Sequence, residues 1–369
     1  MSKRHHHGPY PSLALVVIAR NEAGCIQRCL MSAKPYVDRL VVLDTGSTDD
    51  TVAIAQACGA EVGHFTWIDD FSAARNAALV LANSDWNLVM DADEWIESGG
   101  EHLRSLCTAT PYMGEVCISS HTFHEDIKIQ ANSQIIRLLP RGVRYERRVH
   151  EQPVAPLVQK RVPIVFGHDG YTDEKVEKKR GRNTALLLKE LVDHPTDPYV
   201  LFQFGKDLEQ TTLDFTRAAD YYARALELTA PNAPYRHNLC MRLLFSLNRA
   251  GQLDTAITRA GEWMDEWAES PDFFYQVGIL MTDASTKYPD QALSQWLPMA
   301  EQAFLRCLEI GDRPNLDDST LGVGSHFAAE RLADVHQRRS HYLANKAHYY
   351  LTLAEELKRG AATTPSAAT

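Results

Sequence analysis

The sequence predicts an α/β domain with a mainly parallel sheet, followed by an all-α half. Three observations carry that prediction. Up to about residue 170, short apolar runs alternate with helical patterns in the order β-α-β-α-β-α-β, which calls for a sheet covered by helices on both faces. From residue 173 to 358 almost everything has helical periodicity. The ends, "MSKRHHHGPYP" and "GAATTPSAAT", are polar or small, so residues 1–11 and 359–369 are expected to be disordered tails.

The elements follow in order. "LALVVIA" (Leu13–Ala19) reads as a buried strand. "EAGCIQRCLMSA" (Glu22–Ala33) puts Ile26, Cys29, Leu30 and Ala33 on one helical face. "RLVVLD" is the second strand. "STDDTVAIAQACG" opens with cap chemistry and closes on Gly59, as a capped helix does. "AEVGHF" is a third strand, "DFSAARNAALVLA" a helix and "WNLVMD" a fourth strand. After Asp93 the rhythm loosens, with strands expected in "GEVCISSHTFH", "QIIRLLP" and "VPIVFGH". The α/β domain is expected over residues 12–172.

Residues 173–358 carry a weak repeat. Leu201, Phe204, Gly205, Leu208, Ala218, Tyr222, Ala225 and Pro231 resemble the tetratricopeptide pattern. A second unit runs from Tyr235 through Gly251, Ala256 and Ala260 to Pro271. A third holds Phe274, Val277, Gly278, Ala300, Ala303, Phe304 and Pro314, and a last helical hairpin is expected from His326 to Leu357. Stacked helix pairs build extended surfaces for partners. The aromatics Trp263, Trp267, Phe273, Phe274 and Tyr275 exceed what one helix pair needs, which predicts a homodimer contact or an acceptor-binding wall.

Bulk properties exclude several classes. A net charge of −10 over 369 residues argues against nucleic acid and against adsorption to anionic lipid. The longest apolar run, Leu13–Ala19, is too short to span a bilayer. The seven cysteines are scattered, with no CxxC pair, and read as reduced thiols of a cytoplasmic protein. There is no GxGxxG after the first strand, no GxxxxGK[ST] and no GxSxG, which weighs against a dehydrogenase, a P-loop NTPase and an α/β-hydrolase.

The chemistry gathers in "NLVMDADEW" (Asn87–Trp95). The apolar run Leu88–Met90 delivers Asp91, Asp93 and Glu94 to a strand end, where ligands of parallel sheets bind. Residues i and i+2 of an extended chain face the same way. Asp91 and Asp93 therefore point together, and their repulsion calls for arginine or lysine partners, shared protons or a divalent cation. Oxygen ligands suit Mg2+ or Mn2+. The competing reading is that Asp93 and Glu94 cap a following helix.

Around that stretch, "VVIARNE", "VVLDTGSTDDT", "DDFSAARNAAL" and "DWNLVMDADEW" occur in this order at strand–helix junctions. Together they resemble the family 2 glycosyltransferases, which have the GT-A fold. "IIRLLPRGVRYERRVHEQP", "GHDGY" and the helical half are similar to a bacterial subgroup with a tetratricopeptide-like domain after the catalytic one. The resemblance implies a metal-dependent, inverting transfer from a nucleotide sugar, with a UDP-sugar the expected donor and a peptide, protein or cell-surface glycan the acceptor.

By that resemblance Asp44 accepts the N3–H of a uracil, unless it is a turn acid before Gly46 and Ser47. Ala19, Arg20 and Asn21 form the first nucleotide-contact loop, although Asn21 could also cap a helix. Glu22, Gly46, Ser47 and Ala92 complete the donor lining. Arg75 pairs with Asp91 or with phosphate. Asp91 faces the ribose or the metal, and Asp93 binds the Mn2+ or Mg2+ directly. His150 completes the metal shell, with His168 as its competitor. Among Arg137, Arg141, Arg144, Arg147 and Arg148, Arg147 is the choice for stabilising the diphosphate leaving group. Glu151 is the expected base, with Glu94 and Glu146 as alternatives. Two other readings fit part of the pattern: a scaffold whose helical repeats do the work, and a nucleotidyltransferase.

Overall fold

A computed structural model of the chain describes residues 11–124, 127–169, 173–314, 316 and 319–362. Residues 1–10 of the expected N-terminal tail, 363–369 of the expected C-terminal tail and part of "GHDGY" lie outside the described residues, and residues 359–362, expected to begin the C-terminal tail, are instead helical. The chain divides into two compact units, Met1–Cys240 with Pro314–Thr320, and Met241–Arg313 with Leu321–Thr369.

The first unit opens as the periodicity predicts. β1 (Leu13–Ala19), α1 (Ile26–Ala33), β2 (Arg39–Asp44), α2 (Thr51–Ala57), β3 (Glu61–His64), α3 (Phe71–Ala82) and β4 (Trp86–Asp91) follow one another. β1 lies between β2 and β4, parallel to both, and β3 runs parallel beside β2. Alternation along β1 serves two cores. Leu13, Leu15 and Val17 pack with Ile26 and Leu30 of α1 and Ala55 of α2. Ala14 and Val16 pack on the other face with Ala78 and Ala82 of α3. The alanines at 74, 78 and 82 are fully buried, so their spacing of four makes a flat stripe that lets α3 approach the sheet. Asp70 starts that helix by accepting a bond from the Ala73 amide at 2.9 Å.

Beyond β4 the sheet is mixed. β5 (Glu94–Ser98), the short α4 (Leu103–Leu106), β6 (Met113–His124), β7 (Ile127–Pro140), β8 (Arg144–Glu146), β9 (Gln152–Val154) and β10 (Gln159–Asp169) follow. The strand order among the described residues is β3-β2-β1-β4-β7-β6-β10-β5, while β8 and β9 pair separately. β7 runs antiparallel to both β4 and β6, and only two residues separate β6 from β7, too few for the helical crossover that a parallel pair needs. β10 runs parallel to β6 but antiparallel to β5. The mixed sheet with helices agrees with the expected GT-A class. Asp93 and Glu94 cap no helix, since Glu94 opens β5.

Three helices, α5 (Asp173–Asp193), α6 (Pro198–Asp207) and α7 (Phe215–Leu228), cluster with the sheet. Polar bonds anchor the first of them. Glu190 accepts from the Arg148 amide at 2.8 Å, Lys189 meets Asp69 at 2.9 Å, and the Thr184 hydroxyl donates to Asp207 at 2.7 Å. α8 (Arg236–Arg249) spans the division between the units at Cys240. A two-residue β11 (Ser319–Thr320) pairs with β7.

The second unit holds α9 (Leu253–Glu262), α10 (Pro271–Lys287), α11 (Leu297–Ile310) and α12 (His326–Ala362). Gly278 of α10 sits against the Phe304 ring of α11, where an added Cβ would lie 2.5 Å from it. The expected hairpin from His326 to Leu357 is instead one helix of 37 residues. No glycine or proline interrupts residues 326–359, so nothing turns the chain. The aromatic surplus is also corrected in part: Trp263, Phe273 and Phe274 are buried in the core. That removes most of the warrant for a dimer contact or acceptor wall at "EWMDEWAESPDFFYQ".

Candidate active site

The site forms beyond the carboxyl ends of β1, β2 and β4. Two loops are sewn together there. Asn21, just past β1, adopts a left-handed backbone with φ 56°, which asparagine tolerates better than most residues. Its amide donates to Ser47 Oγ at 3.0 Å, and its side-chain oxygen accepts from the Thr48 amide at 2.8 Å. The Glu22 amide donates to Thr51 Oγ1 at 2.8 Å, and the Ala23 amide to Asp49 at 3.2 Å. Asn21 therefore fastens the loop after β1 to the loop after β2, and it caps no helix.

Asp44 ends β2 and is buried. It accepts from the Gly46 amide at 3.1 Å and the Ser47 amide at 3.1 Å, and His64 Nδ1 stands 3.5 Å away. Gly46 has φ 105°, a conformation that only glycine adopts without strain. The turn-acid geometry is thus present. A carboxylate offers about four lone-pair positions, so it can also accept from a ligand.

At the end of β4 the carboxylates separate into two environments. Asp91 Oδ1 receives Arg75 Nη2 at 2.6 Å and Asp91 Oδ2 receives Arg137 Nη2 at 2.7 Å. The same Arg137 nitrogen reaches Glu94 Oε1 at 2.8 Å, while Arg75 Nε donates to Glu151 Oε1. Glu94, Arg137, Asp91, Arg75 and Glu151 form one chain of alternating charge. α3 supplies Arg75, β7 supplies Arg137, and the segment before β9 supplies Glu151. Glu94 Oε2 also accepts the Asp91 amide at 2.8 Å.

The electrostatics follow from that chain. Desolvation would raise the Asp91 carboxyl, but the Arg137 and Arg75 guanidiniums hold it well below the usual carboxylate range. Glu94 is only 4% exposed. Its burial outweighs the pull of Arg137, with Asp91 adding repulsion, so it is pushed up to about 7. Asp93 lies outside the chain. His168 of β10 brings Nε2 to within 3.7 Å of Asp93 Oδ2, and this contact raises the imidazole pKa. Ser120 Oγ lies 3.4 Å from the other ring nitrogen.

Several expected residues stand elsewhere. His150 makes no described contact with Asp91 or Asp93. Burial pulls its imidazole down to about 4, and its backbone is left-handed with φ 51°. Arg147 pairs with Asp197 at 2.8 Å, at the start of α6, and its guanidinium stands 5.1 Å from the Tyr199 ring centre. Arg141 pairs with Asp85 and Arg148 with Asp193. Arg144 and Glu146 are exposed on β8. Of the arginine strip, Arg137 alone is described in contact with Asp91. Sequence reasoning did not foresee Glu94 as a buried partner of Arg137, or the reach of α5 toward this end of the sheet. Neither has a local signal, because both depend on which strands and helices become neighbours.

Among the described residues no cluster of three or more histidine, cysteine or acidic side chains could hold a metal. Asp93 and His168 supply an oxygen and a nitrogen close together. That suits an Mn2+ or Mg2+ ion whose other positions belong to phosphate and water.

The chain is similar to known proteins over part of its length. Residues 14–108 match the family described as Glycosyl transferase family 2. A TPR repeat-containing protein of Synechococcus elongatus is 34% identical over 264 residues, which is 67% of this chain and 64% of that protein. The glycosyltransferase SunS of Bacillus phage SPbeta is 29% identical over 237 residues, 58% of this chain and 53% of its own. The chain thus spans between about half and two thirds of the length of these relatives. A solved glucosyl-3-phosphoglycerate synthase of Mycobacterium tuberculosis, in complex with Mn2+, UDP and glucosyl-3-phosphoglycerate, aligns at 25% identity and a TM-score of 0.25. That alignment covers 31% of this chain and 45% of that one.

Proposed function

We propose that the chain is a metal-dependent, inverting glycosyltransferase that takes a UDP-sugar as donor and a peptide, protein or cell-surface glycan as acceptor, a reading supported by the match of residues 14–108 to glycosyl transferase family 2. The observation that carries the reading is the pair of environments at the end of β4. Asp91 is locked between two arginines, while Asp93 faces His168.

Asp93 and His168 would hold Mn2+ or Mg2+, which would supply Lewis-acid stabilisation to a leaving diphosphate. The loops around Asn21 and Ser47 would line the nucleotide, with Asp44 beneath its base. Asp91 holds Arg75 and Arg137 in place rather than offering free oxygens to the ion. Of the three carboxylates considered as the base, Glu94 is committed to Arg137 and the Asp91 amide, and Glu146 is exposed on β8. Glu151 remains, oriented through Oε1 by Arg75, with Oε2 to take the acceptor proton.

The test is calorimetric titration with UDP in the presence and absence of Mn2+, followed by a screen of UDP-sugars for turnover. The parent chain is expected to bind UDP more tightly with Mn2+ and to release UDP during transfer. Asp93→Ala is expected to fold normally and lose the Mn2+ dependence. Release of pyrophosphate would instead identify a nucleotidyltransferase. Lack of any nucleotide binding would leave the helical repeats as the working part.

A further inference from the structure

Arg75 joins the carboxylate at the end of β4 to the base assigned above. Its Nη2 donates to Asp91 at 2.6 Å and its Nε to Glu151. Both nitrogens lie on one edge of the guanidinium. Bonds on a single edge fix the group within its plane and leave it free to tilt about that edge. The remaining nitrogen, Nη1, is buried and has no hydrogen-bond partner among the described residues. Packing against the plane, rather than a third bond, must hold the tilt.

Tyr145 of β8 supplies that packing. The Arg75 guanidinium lies over its ring, 5.4 Å from the centre, within the range of a cation–π contact. Tyr145 is 4% exposed and shares the core on the α3 side of the sheet with Val16, Ala78 and Val143. Its backbone is fastened to the same helix. Asn76, the neighbour of Arg75, accepts from the Tyr145 amide at 2.8 Å and donates to the Tyr145 carbonyl at 2.8 Å. α3 thus grips β8 by the backbone through one residue and rests a guanidinium on the ring through the residue before it. The Tyr145 hydroxyl is buried without a hydrogen-bond partner among the described residues, so the residue acts on Arg75 through its ring.

We propose that Tyr145 is a positioning residue for the base: its ring holds the Arg75 guanidinium at the tilt that keeps Glu151 Oε1 anchored and leaves Oε2 to the acceptor. The proposal rests on the glycosyltransferase reading, with Glu151 as base, and deepens it. In the step concerned, the acceptor oxygen bonds to the anomeric carbon while its proton passes to Glu151 Oε2. The bond from that carbon to the diphosphate breaks, and its electron pair leaves with the diphosphate. Misplacing a reacting group by about 1 Å can cost roughly a hundredfold in rate. Donor binding is assigned to the loops around Asn21 and Ser47, and no described contact links Tyr145 to them. Loss of the ring should therefore act on turnover and spare donor affinity.

The test measures UDP release from UDP-sugars by the full chain with Mn2+, water serving as the acceptor. Tyr145→Leu is expected to lower kcat roughly tenfold to a hundredfold, with the donor KM within about twofold of the parent. Tyr145→Met fills more of the space without a ring and takes the place of Tyr145→Leu if that variant does not fold. Tyr145→Phe keeps the ring and should recover most of the lost turnover. Val143→Ala opens a cavity in the same core and should lower the melting temperature while kcat stays near that of the parent. Glu151→Gln should be inactive. With Glu151→Gln inactive, parent-like kcat in the ringless variants overturns the positioning role and leaves the glycosyltransferase reading intact. Tyr145→Phe as impaired as the ringless variants puts the hydroxyl to work and overturns the role of the ring. Equal kcat losses in Val143→Ala and Tyr145→Leu reduce the effect to core packing and also overturn it. An active Glu151→Gln removes the base that Tyr145 would position. Absence of UDP release by the parent overturns the underlying reading together with this one.

Discussion

At the scale of single residues, Arg137 has the largest structural consequence in the site. It is 6% exposed and holds both Asp91 and Glu94. Removing one partner of a buried ion pair leaves an uncompensated charge and costs about 3–5 kcal/mol. Arg137→Met should therefore lower the urea midpoint of unfolding strongly. Arg141→Ala removes an exposed pair with Asp85 and should cost at most about 1 kcal/mol. Similar midpoints for the two variants would refute a structural role for the buried chain. The DAD stretch was legible as an acidic cluster at a strand end, but β4 stops at Asp91 and a turn at Ala92 and Asp93 leads into β5, so strand alternation does not pair the two aspartates. Their division of labour was not legible, because it depends on β7 and α3 delivering one arginine each to Asp91 and on β10 delivering His168 to Asp93. The preference for His150 over His168 came from order along the chain, whereas distance to Asp93 is set by the pairing of β10 with β5.

At the scale of elements, the helices can be read through their glycines. Gly205 of α6 is in close contact with Tyr222 of α7, and an added Cβ would lie 2.6 Å from that ring. Tyr222 is fully buried and its hydroxyl donates to Glu209 at 2.7 Å, so it has little room to move. Gly205→Leu should destabilise the first unit by about 1–3 kcal/mol through overpacking. Gly181 of α5 has nothing within 4 Å of its would-be Cβ. Gly181→Ala should stabilise by up to about 1 kcal/mol through helix propensity. Chemical denaturation of both variants reads the opposite signs, and a stable Gly205→Leu would deny the close contact. The first four strands and three helices were predictable because local alternation and caps agree with the tertiary fold. β5, β8 and β9 were not, since three to five residues of polar chain make strands only when a neighbour supplies the hydrogen bonds.

At the scale of the whole chain, the thiols provide a check that needs no ligand. All seven cysteines are free; Cys25 and Cys117 are partly accessible and the other five are buried. Denatured without reductant, the chain should show seven reactive thiols, and the native chain should show rapid labelling at Cys25 and Cys117 alone. Fewer than seven in the denatured state would reveal a disulfide and contradict the reduced-thiol reading. No described helix is long and apolar enough to cross a membrane, in line with the short apolar runs of the sequence. The helical character of the second half was legible from its 3.6-residue periodicity. The continuous α12 was not, because a helix pair and one long helix share the same periodicity.

The strand order also bears on how copies of the chain avoid one another. Its two ends, β3 and β5, expose backbone groups that could recruit a foreign strand. β3 is only four residues long, begins at Glu61 in an ion pair with Arg39, and ends at the exposed His64. β5 carries Glu97 and Ser98 outward, and its Trp95 lies under the Arg28 guanidinium at 3.9 Å. Short length and charge at both margins disfavour edge-to-edge pairing. The apolar strands Leu13–Ala19 and Trp86–Asp91, the segments best suited to amyloid-like stacking, are enclosed between those margins.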